Sequence, residues 1–471
     1  MDQNRKPIYE ALIEHQEKNP ISFHVPGHKS GRVFPETDVF KGILKIDATE
    51  IAGLDDLHAP EGIIKEAAQL TSDYFGSNES FFLINGSTVG NLAMVLSTCE
   101  RGDRLIVQRN CHKSVLNGLE LAGAEPVFIA PEWEEETGRY SSITREVIEE
   151  ALHLYPSAKG VLLTYPDYFG RAYRLDEIAD VVHRYGLPLL IDEAHGVHFQ
   201  LGAPFPKPAL ESGADVVVQS AHKMAPAMTM ASFLHRGTER VDLRKLKHYL
   251  QMLQSSSPSY PLMASLDLAR YFLATMTVKE KEDALHFIQD IRTVLETYDH
   301  WRLLPVTDKD DPLKATLEVE GNGFEIAEVL EEVHLYPELA TSSQVLLTFG
   351  LGTAFDLDEL KQRLELLDWR LKNKSKHATI KVDQPRLPVV QSLEMSFSSM
   401  QETPVEWVHW SEAAGRIAAE AILPYPPGIA VVLKGERMTE SQICYIEALI
   451  GQGARFQNEA IETGIRVFKG E

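Results

Sequence analysis

From about residue 60 to 235 the chain alternates helical periodicity with short, wholly apolar runs, the pattern of βαβ units around a parallel sheet. Residues 61–74 place Ile64, Ala67, Ala68 and Leu70 on one helical side, and Gly76 follows just past the end. Residues 81–84 read as a buried strand that turns through Asn85-Gly86-Ser87-Thr88 into a helix carrying Met94 and Leu96. Further buried strands are predicted at 104–107, 126–129, 160–164, 187–191 and 214–218, with helices between most of them. A sheet of this kind presents ligand groups from the loops at the carboxyl ends of its strands.

Beyond the sheet, residues 262–295 read as one long helix, an arm leading to a second domain. Residues 300–371 read as a small α+β domain. Its strands fall at 316–319 and 345–348, and Leu357, Leu360, Leu364 and Leu367 stripe an amphipathic helix over 356–370. Residues 372–388, rich in lysine and carrying Pro385 and Pro388, form the linker candidate. The expected division is an N-terminal segment (1–60), a large domain (61–295), a small α+β domain (296–371), a linker (372–390) and a C-terminal domain (391–471).

At about 100–200 residues per domain, 471 residues imply two to four domains. Hydrophobic content of 44% with 24% charged residues excludes global disorder. No run approaches the roughly 18 consecutive apolar residues a membrane span needs. The net charge of −23 disfavours nucleic acid and anionic membranes as partners. Cys99, Cys111 and Cys444 have neither metal-ligand spacing nor an even count, so no metal and a reducing, cytoplasmic setting are expected.

Three loops carry candidate chemistry. Gly86-Ser87-Thr88, at a strand-to-helix turn, combines free helix N–H groups with two hydroxyls and suits a phosphate dianion, although Ser and Thr also cap helices without any ligand. Asp192, in Ile191-Asp192-Glu193-Ala194-His195-Gly196, follows an apolar strand, where a carboxylate can hold a proton on a heteroaromatic nitrogen or simply form a turn. His195 can stack or hydrogen-bond near such a ring, or cap its own loop. Lys223, in Ser220-Ala221-His222-Lys223, follows another buried strand and can form a Schiff base with an aldehyde, Ser220 and His222 assisting with phosphate or protons. The order of phosphate turn, strand-end Asp and Lys matches what pyridoxal 5′-phosphate requires.

These segments resemble fold-type I pyridoxal-phosphate enzymes, and more narrowly the bacterial Orn/Lys/Arg decarboxylase family. Phe23-His24-Val25-Pro26-Gly27-His28-Lys29 and Leu54-Asp55-Asp56-Leu57-His58-Ala59-Pro60 resemble its N-terminal signatures. Arg109-Asn110-Cys111-His112-Lys113-Ser114 is similar to its R-N-x-H-K-S loop. Thr164-Tyr165-Pro166-Asp167-Tyr168-Phe169-Gly170 is similar to its T-x-P-T-Y-x-G segment, with Asp167 where Thr is usual. Leu423-Pro424-Tyr425-Pro426-Pro427-Gly428, after Gly415-Arg416-Ile417-Ala418-Ala419-Glu420, resembles its C-terminal domain. The resemblance spans about residues 7 to 466.

It implies an α/β fold: a fold-type I transferase-like large domain with a mainly parallel sheet, plus small and C-terminal α+β domains. It implies decarboxylation of a basic amino acid, arginine to agmatine in polyamine synthesis first, lysine or ornithine next. Lys223 would carry the cofactor and Asp192 would face the ring nitrogen, while His112 would stack on the ring. Gly86, Ser87, Thr88, Ala194, His195, Ser220 and His222 would complete the cofactor site. Lys223 or His222 would return the proton to the α-carbon, and Glu338 is the candidate partner for the substrate's distal cation. The chain starts almost at the first signature, which implies the wingless branch without a receiver-like domain. Ser255-Ser256-Ser257-Pro258-Ser259-Tyr260 resembles a segment that reaches the phosphate of a neighbouring subunit, implying a homodimer or higher homo-oligomer with shared sites. Two alternatives stand beside this reading. One is another fold-type I activity, an aminotransferase or α-oxoamine synthase, which the N- and C-terminal signatures disfavour. The other is a non-catalytic relative, against which Lys223, Asp192 and His112 together argue.

Overall fold

The computed structural model describes residues 1–35, 38–373, 384–424 and 429–470. Most of the expected linker and the segment Tyr425-Pro426-Pro427-Gly428 therefore lie outside the described residues. The chain forms two compact units, each assembled from separated stretches. The first comprises Met1–Thr98, Gly160–Tyr165 and Leu175–Thr277; the second comprises Cys99–Lys159, Pro166–Arg174 and Val278–Glu471.

In the first unit five strands lie side by side in the order Glu79–Leu83, Ser232–Arg236, Val216–Gln219, Leu189–Asp192, Val161–Thr164. The last three are mutually parallel, as their continuous apolar sequences predict for strands covered on both faces. Ser232–Arg236 is antiparallel to both its neighbours and was not legible as a strand, because His235 and Arg236 interrupt its apolar pattern. With that reversal the strand Glu79–Leu83 runs the same way as the parallel three, so the turn after it opens at their carboxyl edge. The helix Ile63–Phe75 ends at Gly76, whose φ of 69° closes it in the left-handed region. Asp55, from the second N-terminal signature, starts that helix by accepting from the amides of Gly62 (2.8 Å) and Ile64 (3.0 Å).

The helix Gly86–Thr98 presses tightly on the sheet. A Cβ at Gly90 would lie 2.3 Å from Cγ2 of Val218, so only glycine lets the two backbones approach this closely. On the helix Tyr260–Thr275 the fully buried pair Asp267–Arg270 (2.7 Å) binds the start of the chain: Arg270 donates to the carbonyls of Gln3 and Arg5, and Asp267 accepts from the amide of Ile8. The single long helix expected over 262–295 is instead two, Tyr260–Thr275 and Val278–Leu295. Met276 takes an extended ψ of 121° within a run, Thr275 to Val278, whose β-branched residues tolerate the helix poorly.

In the second unit Arg104–Gln108 and Glu125–Ile129 pair in parallel, and Val390–Ser392 adds antiparallel to the latter. A four-stranded antiparallel sheet, Arg302–Leu303, Lys314–Glu318, Gln344–Thr348 and Leu339–Ala340, packs with the helices Val278–Leu295, Gly323–Glu332 and Leu357–Asn373. Their core gathers Trp301, Leu317, Val345 and the predicted stripe of Leu360, Leu364 and Leu367. Towards the C-terminus, Val405–His409 pairs with Gly464–Phe468 and the helix Glu440–Gly451 buries Ile443 and Ile446 in a separate core.

Candidate active site

The chemistry predicted at the carboxyl edge of the sheet converges there within the first unit. Gly86 opens its helix with a φ of +78°, a conformation glycine adopts freely, and so swings the chain from strand into helix in a tight turn. The first-turn amides of Gly86, Ser87 and Thr88 have no carbonyl of their own helix to bind. Ser220, fully buried at the end of the strand Val216–Gln219, donates from Oγ to Oγ of Ser87 at 2.8 Å and ties this turn to the Lys223 loop. The cluster of amides and hydroxyls suits a dianion.

Asp192 ends the strand Leu189–Asp192 with its carboxylate almost wholly buried. Its Oδ2 accepts from Nδ2 of Asn91 at 2.8 Å and its Oδ1 from the amide of Ala194 at 3.2 Å. No motif pointed to Asn91. The available signal was a polar residue inside the apolar run from Val89 to Val95, which places it on the sheet-facing side of the Gly86–Thr98 helix. A carboxylate held in this way can face a protonated heteroaromatic nitrogen.

Lys223 sits in a single helical turn, Ala221–Met224, and its Nζ lies 3.1 Å from Nε2 of the buried His195. An ammonium only donates, so His195 accepts through Nε2 whenever Lys223 is charged. His222 turns elsewhere, with both its amide and Nδ1 directed at the carbonyl of Ala231. Short contacts thus join Ser220 to Ser87, Lys223 to His195, and Asp192 to both Asn91 and Ala194, with Gly86 preceding Ser87 in the turn and Thr88 exposed after it.

Sequence reading also missed a line of polar side chains just behind this site. Glu193, with no exposed surface, accepts from the amide of Ala209 (2.8 Å) and from Nε2 of Gln219 (2.7 Å). Gln219 Oε1 lies 3.0 Å from Nε2 of His235, whose Nδ1 is 2.8 Å from Oγ of Ser80. Burial pushes the Glu193 carboxyl up to about 8, against the hydrogen bonds from Gln219 and Ala209. Burial likewise holds His235 down to about 3, so its ring is neutral at ordinary pH.

The remaining candidates belong to the second unit. His112 caps the helix Lys113–Ala122, its Nδ1 accepting from the amide of Ser114 at 3.2 Å, which leaves the proton of the neutral ring on Nε2. The Arg109 guanidinium of the same motif donates to the carbonyls of Ala430 and Val431 and to Glu436 at 2.8 Å, both charged groups being buried. Asp167 accepts from Ser141 Oγ and from the amides of Phe169 and Arg171, with Arg139 Nε 3.8 Å away. The acid that replaces the usual threonine is therefore compensated by a cation. Glu338 is exposed, and its amide binds the carbonyl of Leu346. The segment resembling a cross-subunit loop is tied within the first unit: His58 Nε2 contacts the carbonyl of Ser255 at 2.9 Å, and Ser259 caps the helix Tyr260–Thr275.

Comparison with known proteins identifies the family. The family model described as "Orn/Lys/Arg decarboxylase, major domain" matches residues 6–311, and the one for the C-terminal domain matches residues 379–457. The chain is 43% identical over 462 residues to the uncharacterized protein YaaO of Bacillus subtilis, covering 96% of this chain and 95% of that one. It is 36% identical over 474 residues to an arginine decarboxylase of Bacillus anthracis, covering 97% and 95%. Among solved structures, the lysine decarboxylase LdcF of Francisella novicida superposes with a TM-score of 0.81 at 19% identity, covering 98% of this chain and 81% of that one.

Proposed function

The chain belongs to the Orn/Lys/Arg decarboxylase family and is an amino-acid decarboxylase; from that premise we propose that it converts arginine to agmatine, using pyridoxal 5′-phosphate held in the site described above. The observation that carries the proposal is the largely buried arrangement, open at Ser87 and Lys223, in which Asn91 holds Asp192, Ser220 holds Ser87, and Lys223 meets His195. The donor set fits the cofactor group by group. Gly86, Ser87, Thr88 and Ser220 supply amides and hydroxyls for the phosphate, Asp192 an anion for the ring nitrogen, and Lys223 an amine for the aldehyde. His112 is assigned to the ring face by the resemblance alone.

Pyridoxal 5′-phosphate, when bound, supplies an electron-withdrawing ring that takes up the electron pair left by departing CO2. Asp192 would supply the anion that favours a positive charge on the ring nitrogen, and Asn91 holds that carboxylate in place. Lys223 would hold the cofactor through Nζ and would carry a proton there when substrate is bound. Its neighbour His195, at 3.1 Å through Nε2, can replace that proton. The tie of His222 to the carbonyl of Ala231 favours Lys223 over His222 as donor to the α-carbon.

The full-length similarity to a named arginine decarboxylase supports arginine as substrate. A cationic substrate also suits a chain of net charge −23. The domain division 1–60, 61–295, 296–371, 372–390 and 391–471 belongs to the same reading, as do a cytoplasmic location and a role in polyamine synthesis. Among the described residues no helix is long and apolar enough to cross a membrane. Ile21, Phe23, Val25, Val33 and Val39 are all exposed, Phe23 by 97%, and this apolar stretch supports burial against a second copy in a homodimer. The test is CO2 release from carboxyl-labelled arginine, lysine and ornithine with added cofactor. Arginine is expected to be turned over fastest; release from none of the three would overturn the proposal.

A further inference from the structure

Successive residues of a strand point to opposite faces of its sheet. Asp192 and Val218 are register partners, and both face the helix Gly86–Thr98: Asp192 is bound by Asn91, and Val218 touches Gly90. Ser220, two residues beyond Val218, faces the same way and binds Ser87. Glu193 and Gln219 are the alternate residues, directed to the reverse face, where they bind each other. His235 pairs in register with Val217 on one side and with Ser80 on the other. The hydrogen bonds Glu193–Gln219, Gln219–His235 and His235–Ser80 therefore cross four neighbouring strands, starting with Glu193 and Gln219 at the sheet edge where the site is built and slanting away from it to His235 and Ser80, which lie level with Val217.

The backbone ladder between the two strands bearing Asp192 and Ser220 ends with the amide of Glu193 on the carbonyl of Val218, at 2.9 Å. Past that bond, the side-chain link Glu193–Gln219 is what continues the pairing. We infer that Glu193, Gln219 and His235 are positioning residues, setting from behind the separation of Asp192 and Ser220 and with it the fit of the cofactor between ring nitrogen and phosphate. The inference rests on the assignment of these two groups to pyridoxal 5′-phosphate made above. A buried line of polar groups costs more than an apolar core when any member is unpaired, so its members fix one geometry.

The line can also run in reverse, because Gln219 has both a donor and an acceptor end and neutral His235 can carry its proton on either nitrogen. A Glu193→Gln side chain would donate to Gln219 Oε1, Gln219 would donate to His235, and His235 to Ser80. Every group stays paired. A Glu193→Leu side chain of similar size leaves Gln219 and the amide of Ala209 without their acceptor.

The test is titration of the cofactor-free chain with pyridoxal 5′-phosphate, read by absorbance and by quenching of intrinsic fluorescence, alongside kcat and KM for the holoenzyme. Glu193→Leu is expected to raise the cofactor dissociation constant at least tenfold and to lower kcat more than it changes KM. Glu193→Gln is expected to stay within threefold of the parent in both. Unchanged cofactor affinity in Glu193→Leu overturns the inference, and so does an equal loss in the two variants. If Glu193→Leu fails to fold, Gln219→Met breaks the same link and is judged by the same outcomes against Glu193→Gln. Failure of the parent chain itself to bind the cofactor would sink the functional reading instead, so the two failures are distinguishable.

Discussion

Asn91 offers a direct measure of how far the site depends on a held carboxylate. Its Nδ2 donates to Oδ2 of Asp192 at 2.8 Å, in surroundings where both residues are almost wholly buried. A hydrogen bond to a charged acceptor contributes about 1.5–3 kcal/mol. With about 1.36 kcal/mol per factor of ten, Asn91→Ala should weaken cofactor binding or lower kcat/KM by about 10- to 150-fold. Truncation also leaves a small void, so the measurement needs a cycle: the same substitution made in an Asp192→Asn background removes the void term from the comparison. Cofactor titration and steady-state turnover on the parent, the two single variants and the double variant supply the four corners. The expected result is a large loss in the parent background and a much smaller one beside Asp192→Asn. Equal losses in both backgrounds would show that Asn91 acts through packing and would refute the carboxylate argument.

Three further outcomes follow from other features. Gly90→Ala puts a methyl group 2.3 Å from Val218 Cγ2, inside a strand that cannot yield; overpacking of about 1–3 kcal/mol should exceed the gain in helix propensity and lower the melting temperature, and an unchanged melting temperature would contradict this. Glu436→Ala strips the buried Arg109 guanidinium of its anion and should cost about 3–5 kcal/mol in denaturant unfolding, with a loss below 1 kcal/mol counting against a buried pair. Burial raises the Glu193 carboxyl from 4.5 to about 8, with Glu211 adding to the rise and neutral His235 on the far side of Gln219 adding no charge. The folded chain thus favours the protonated acid, and the associated stability is complete below pH 4.5, declines as pH rises, and is gone above about 8. Melting curves of Glu193→Gln against the parent should accordingly shift in the variant's favour across that window, and a pH-independent difference would show that Glu193 does not titrate there.

What could be read from the sequence was whatever has a local signature. The parallel strands announce themselves by continuous apolar runs, the helix ending at Gly76 by its periodicity and glycine, and the Leu360-Leu364-Leu367 stripe by its spacing. Asp192, Lys223 and the Gly86 turn were legible because each occupies a strand end, where topology alone places chemistry. The strand Ser232–Arg236 was not, since its polar members are satisfied by neighbours in other strands that only tertiary structure brings near. Asn91 and the line from Glu193 to Ser80 were hidden for the same reason: their partners lie up to 155 residues away in the chain. Conversely, the helix expected over 262–295 failed because apolar periodicity runs through the break at Met276, where the backbone preference of β-branched neighbours decides.

The bond between Ser220 and Ser87 joins positions 133 residues apart, within a unit that also needs three separate lengths of chain. During synthesis at about 5–20 residues per second, the emerging Gly86 turn waits roughly 7–27 s for the strand that completes it. Through that interval the apolar flank of the Gly86–Thr98 helix has no sheet to cover it. Pausing translation just before residue 216 should lengthen that exposure.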